Sequence, residues 1–372
     1  MRPPIHGQCA PSFAKVGEAF AASFDGDAQI GACVAIVLDG VPVVDLWAGW
    51  RDPAREHAWN ADTLVCMMSV TKAIAALCVL VLAERGKLDL DAPLARYWPE
   101  FGAAGKDGIT VAQVLGQEAG LPYADAAAPG SLWEIGAVAR ALKKQAPEWP
   151  PGSTPCYHSF TAGMLYGELV RRVDGRSLGT FLREEISGPH GIDFHIGLTP
   201  EADLRRAEYV ATPGTPSWEG IKRRIPSPLN RAWRPLPDDE DGNTPGWRFG
   251  EFPSANGHGN ARAVARLFAL LTDAAAPIIS QALLGRAIEA RWDGVEAMTQ
   301  RHFRYGLGFM LDCPPFPLVG PRNFGHPGIG GPLGFGDPER RLGFGYACNR
   351  MAPVADIGPA RAMIEAAYDS LT

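Results

Sequence analysis

Apolar positions change their spacing several times along the chain, and the changes mark out its elements. Residues 10–24 carry apolar side chains at helical intervals, which predicts an amphipathic helix. Two valine-rich runs follow, GACVAIVLDG (31–40) and VPVVDLWAGW (41–50), joined at Asp39-Gly40. Such a junction between apolar runs is a hairpin signal. From 63 to about 200 the period becomes helical. Ser69 to Arg85 closes at Gly86, and its run AIAALCVLVLA is apolar all round, as in a buried helix. ITVAQVLGQ follows a loop, and LWEIGAVARALKKQ and FTAGMLYGELVRRVDG are periodic segments with glycine stops.

Residues 205–258 break the rhythm. They are dense in Pro, Gly and Trp and weakly periodic, so they read either as a cover over a site or as a surface excursion pinned by tryptophans. After the helix NARAVARLFALLTDA come glycine-punctuated strands at 305–311, 322–328 and 341–351, then a final helix at about 358–371. Strands at both ends with helices between them predict an α/β (α+β) chain. One antiparallel sheet is built from both termini, flanked by helices and interrupted by a mainly helical insertion. The expected division is 1–62 with 296–372 for the sheet unit and 63–295 for the helical unit, with 205–258 covering the cleft.

Composition narrows the class. A chain of 372 residues with 46% hydrophobic and 20% charged content can bury a sizeable core. Its net charge of −6 argues against nucleic acid or an anionic membrane as partner. No apolar run reaches the length of a membrane span, and the first residues lack the apolar stretch of a secretory signal, so a cytoplasmic location is expected. Seven scattered cysteines without a C-x-x-C pair fit reduced thiols better than a disulfide framework or a zinc site.

The chemistry starts at Ser69-Val70-Thr71-Lys72. Three residues apart on a helix, serine and lysine lie on one face. At the helix start, free N–H groups favour a developing negative charge. A lysine desolvated among Cys66, Met67, Met68, Ala73 and Ile74 would lose affinity for its proton and could take one from serine. Alone this pair is a weak signal, since Ser-x-x-Lys recurs by chance. Two features strengthen it. Tyr157 stands in PGSTPCYHSF, just before a helix, where a hydroxyl can face a cleft. The glycine-rich stretch from Phe324 to Met351 lets a strand backbone approach a ligand and supply an N–H to an oxyanion.

Taken in order, Ser69-x-x-Lys72, Tyr157-x-Ser159 and His326-Pro327-Gly328 resemble the three motifs of the serine β-lactamase and penicillin-binding-protein superfamily. The similarity runs from about residue 15 to the C-terminus and is greatest to the class C-like branch, in particular family VIII carboxylesterases. The resemblance implies a serine β-lactamase-like fold and an ester hydrolase with no cofactor and no metal. Ser69 would be the nucleophile, Lys72 and Tyr157 would share the base work, and the backbone amides of Ser69 and Ile329 would form the oxyanion hole. Ser159, His326, Gly328, Gln117 and Tyr123 are the substrate-binding candidates. Ser159 and His326 replace the asparagine and lysine of class C β-lactamases, and Gln117 stands where the family usually has histidine. A histidine is mostly neutral at pH 7 where a lysine is charged, which favours neutral esters over anionic lactams. Amide, β-lactam, D-peptide or oligoamide hydrolysis, acyl transfer and non-catalytic binding are the alternatives on the same scaffold. The expected partner is a small-molecule ester, and the oligomeric state is open.

Other motifs carry less. GRSLG (175–179) matches the G-x-S-x-G pattern, but a helix precedes it, so Ser177 reads as a helix cap. His190 and His195 flank Asp193 without a third ligand. GIGGPLGFG lacks the strand-turn-helix setting of a dinucleotide loop. His158 reads as a wall residue. Trp133, Trp149, Trp218, Trp233 and Trp247 read mainly as anchors, with one or two facing an acyl pocket.

Overall fold

The computed structural model describes residues 2–134, 136–211, 227–273, 275–351 and 357–371. Strands β1 (Ile5–Cys9), β2 (Gly31–Leu38) and β3 (Val41–Gly49) come from the N-terminal part. Short strands β4 (Val65–Cys66), β5 (His195–Ile196) and β6 (Gly257–Gly259) form a separate three-stranded sheet in the order β4-β6-β5. The C-terminal part adds β7 (Trp292–Val295), β8 (His302–Tyr305), β9 (Met310–Leu311), β10 (Phe324–Pro327), β11 (Leu333–Asp337) and β12 (Leu342–Cys348). The main sheet is antiparallel in the order β1-β3-β2-β12-β11-β10-β9-β8-β7, so both ends of the chain meet at the β2–β12 pair.

The β2–β3 hairpin forms at Asp39-Gly40. Both residues have positive φ, 51° and 74°, which the two-residue turn requires if its twist is to match the strands. Every residue of β2 from Gly31 to Val37 is buried because both faces of the sheet are covered. Ala32, Val34 and Ile36 pack with helices α1 (Ala14–Ala22) and the C-terminal Ala360–Asp369, while Cys33, Ala35 and Val37 face the helical side. There α2 (Val70–Glu84) is buried from Val70 to Leu82, and with α3 (Thr161–Asp174) and α4 (Ala261–Thr272) it forms the main core.

Several sequence expectations need correction. The strand expected at 305–311 is two strands, because the chain turns at Gly308 (φ 84°) and the Gly306 amide bonds back to Phe309 O at 2.9 Å. The helix expected over LWEIGAVARALKKQ begins only at Ala137, after Gly136 adopts a left-handed φ of 71°. Strands β1, β7 and β11 were not anticipated: β1 is a largely exposed edge, and β11 alternates glycine with apolar residues. The described part of 205–258 is less irregular than its composition suggests. It contains short helices at Pro228–Trp233 and Pro245–Phe249 and strand β6, while 212–226, with Trp218, lies outside the described residues.

Gly308 seats the β8–β9 turn on α2. A Cβ there would lie 2.1 Å from the Ala76 Cβ, on a backbone that L residues rarely adopt. Gly308→Ala is therefore expected to lower stability by at least about 2 kcal/mol in urea unfolding. Gly175→Ala, at φ 93° in open space, should lose roughly 1 kcal/mol.

Candidate functional site

Ser69 occupies the N-cap position of α2, yet its side chain makes no capping hydrogen bond. Its Oγ lies 3.1 Å from Lys72 Nζ instead. Met68, just before it, is held at φ 47°, an uncommon conformation for a side-chain-bearing residue that belongs to the turn presenting the serine. That turn is tied down by Thr71, whose Oγ1 donates to Met68 O at 2.5 Å and accepts from the Gly257 amide at 2.8 Å.

Lys72 is fully buried. Its Nζ donates to the carbonyl of Ser254 at 2.7 Å, and no carboxylate pairs with it among the described residues. Burial without a counter-charge holds its pKa well below the usual lysine value. Ser254 was not anticipated from the sequence. Its carbonyl reaches Lys72 because α3 carries Gly163, where a Cβ would stand 2.2 Å from the Pro253–Ser254 backbone. The Gly163 amide also donates to Ser254 Oγ at 2.9 Å.

Tyr157 completes the group. Its ring centroid is 5.1 Å from Lys72 Nζ, and its phenol shares a hydrogen bond with Ser69. Burial pushes the phenol above its usual pKa, more strongly than that hydrogen bond pulls it down, and the charge of Glu296 adds to the rise. Glu296 is the second unanticipated residue. Fully buried, it accepts from the amides of Tyr157 (2.8 Å), Met298 (2.9 Å) and Thr299 (2.5 Å) and from the Thr299 hydroxyl, which fixes the Tyr157 backbone. His158 supports the same segment. Its Nδ1 bonds Cys156 O at 2.7 Å, its Nε2 accepts from the Leu121 amide at 2.9 Å, and burial lowers its pKa to about 4.

The third motif closes the site from the sheet. At Gly328 a Cβ would meet Met67 O at 2.5 Å, so only glycine lets β10 come this close to the serine turn. Beyond it, the amide of Ile329, like that of Ser69, finds no acceptor among the described residues. His326 is buried, with its Nδ1 2.7 Å from Pro327 O. That carbonyl requires the proton on Nδ1 and leaves Nε2 as a bare acceptor without a partner among the described residues. Burial first, and the charge of Lys72 second, push its pKa down to about 3, so it is neutral across the physiological range.

These residues share a cavity of about 190 Å³ lined by Ser69, Tyr157, Ser159, Trp233, His326 and Ile329 among others. A groove of about 1000 Å³ beside Trp133, Met164 and Phe249 holds none of the motif residues. Ser159 reaches the cavity with its Oγ engaged by Trp233 Nε1 at 3.0 Å. Two sequence candidates fall elsewhere. Gln117 is fully buried at φ 58°, bonded to the Tyr305 hydroxyl and accepting from the His158 amide at 2.6 Å, so it braces the Tyr157 loop from behind. Tyr123 is covered by the Arg231 guanidinium, 3.8 Å from its ring centroid, and does not line the cavity. Ser177 caps a helix by accepting from the Thr180 amide, and His195 pairs with Asp193 beside Arg205.

The beta-lactamase family model matches residues 18–368. The chain is 32% identical over 363 residues to the esterase/beta-lactamase LipL of Mycobacterium tuberculosis, covering 93% of this chain and 83% of LipL. Among solved structures it resembles a penicillin-binding protein homolog from Caulobacter crescentus, with a TM-score of 0.88, 35% identity and coverage of 99% and 100% of the two chains. A family VIII carboxylesterase is equally similar, with a TM-score of 0.88, 34% identity and the same coverage. Three motifs gathered at one cavity and a match along nearly the whole length agree: the chain belongs to the beta-lactamase family.

Proposed function

We propose that this serine hydrolase cleaves carboxylic esters of short to medium chain through an acyl-enzyme on Ser69. The observation that carries the reading is the 3.1 Å approach of Ser69 Oγ to a buried lysine without a counter-charge. A neutral Lys72 donates to Ser254 O and keeps a lone pair for the serine proton. As Oγ attacks the ester carbonyl, that proton passes to Lys72, and the oxyanion is received by the free amides of Ser69 and Ile329. Tyr157, kept protonated, gives its proton to the departing alkoxide and regains one from the Lys72 ammonium. Water then attacks the acyl-enzyme by the same route in reverse. Lys72 and Tyr157 titrate as a pair, with the resting proton on Tyr157.

Esters are favoured over β-lactams because His326, neutral and already donating to Pro327 O, offers no cation where the resemblance places a lysine. The names of LipL and of the family VIII carboxylesterase support the same class. The described part of 205–258 borders the cleft in this reading, since Leu229, Trp233 and Ala255 line the cavity.

Ser69→Ala is expected to abolish turnover of a short p-nitrophenyl ester without altering the circular dichroism spectrum, and undiminished turnover would rule out the nucleophile. The acid limb of the kcat/KM profile should follow the lowered pKa of Lys72. Activity should hold into the alkaline range, because the Tyr157 phenol ionises above its usual value. Tyr157→Phe should cost about 10²-fold or more in kcat. Lys72→Met should be inactive yet more stable at pH 7. The unfolded lysine binds a proton that the folded one gives up, a penalty on the order of 1.4 kcal/mol per pH unit of depression. That advantage should shrink as pH rises toward the unfolded lysine pKa, and denaturation midpoints at several pH values would show it.

A further inference from the structure

Arg301 follows the turn between β7 and β8, half-buried, and lines the same cavity as Ser69 and Tyr157. Its guanidinium stands 5.7 Å from the Phe303 ring centroid, and Phe303 in turn packs edge-on against Tyr157 at 6.0 Å. The cation is therefore held two ring contacts from the catalytic group. Among the described residues no Asp or Glu lines the cavity and no carboxylate pairs with Arg301. The acid nearest in sequence, Glu296, is turned into the core and already holds four donors. It bonds Arg301 only through the backbone, from its own amide to Arg301 O at 3.0 Å. A half-buried guanidinium with its fork of donors unspent, in an otherwise largely apolar pocket, is a receptor for a planar anion.

We propose that Arg301 binds a carboxylate on the substrate, so that the preferred esters are half-esters of short dicarboxylic acids. The inference rests on the esterase reading of Ser69. It restores anionic recognition at a position different from the third motif, where His326 supplies none. The cavity volume of about 190 Å³ limits the acid to a few carbons between the scissile carbonyl and the charge.

The test compares mono-p-nitrophenyl glutarate with p-nitrophenyl butyrate, one anionic and one neutral. Arg301→Gln is expected to lower kcat/KM for the glutarate half-ester by about ten-fold or more, mainly through KM, while butyrate stays within about two-fold. Arg301→Lys should recover part of the loss. Equal losses on both esters, or no loss on the half-ester, would overturn the assignment. Calorimetric titration of Ser69→Ala with the two esters decides the point without turnover. The half-ester should bind about ten-fold more tightly than butyrate, and the difference should vanish in Ser69→Ala/Arg301→Gln. Equal binding of the two esters to Ser69→Ala would refute the role of Arg301. Failure of the wild-type protein to hydrolyse either ester would instead refute the esterase reading, and the titration would still judge Arg301.

Discussion

A lysine amine buried without a counter-charge organises this molecule. Taking Lys72 out of water disfavours its ammonium form, and the only hydrogen-bonding relief described for it is one carbonyl and one hydroxyl. Around that group the sequence is arranged for close approach. Gly163 admits the Ser254 carbonyl, Gly257 ties to Thr71, and Gly328 brings the sheet against the serine turn. At each of the three glycines an added Cβ would collide with the neighbouring segment.

A second layer of buried polar groups holds the partner tyrosine. Glu296, His158 and Gln117 bond the backbone or its neighbours on both sides of Tyr157, so the phenol is positioned by groups that never face the cavity. The three differ in chemistry. Burial does most to keep the phenol protonated, and Glu296 adds to it, whereas His158 is neutral and Gln117 uncharged.

Legibility followed the range of each interaction. Ser69 and Lys72 are three residues apart on one helix, so their meeting could be read from spacing. Tyr157 was suggested by its place just before a helix, but its pairing with Ser69 and the role of His326 came only through resemblance to ordered motifs, since nothing local in PGSTPCYHSF or FGHPG names a partner. Ser254 and Glu296 escaped notice because they act through a main-chain carbonyl and an inward carboxylate, which no motif marks. Gln117 and Tyr123 were carried in as candidates with the resemblance, whereas a left-handed backbone turns Gln117 inward and Arg231 shields Tyr123. The hairpin at Asp39-Gly40 was visible because its turn chemistry is local, and β11 was not, because its glycines masked the alternation.

The pairing of β2 with β12 has a consequence for how the chain comes into being. During synthesis, α2, apolar on every side, emerges well before β10 to β12, the strands that complete the sheet beside it. Until β10 to β12 arrive, a sticky helix has no finished surface to settle on, and the serine turn lacks the wall at Gly328. Long-range strand pairing of this kind is slow and exposes apolar surface in the interval. Through that interval the nascent protein depends on being kept from aggregating.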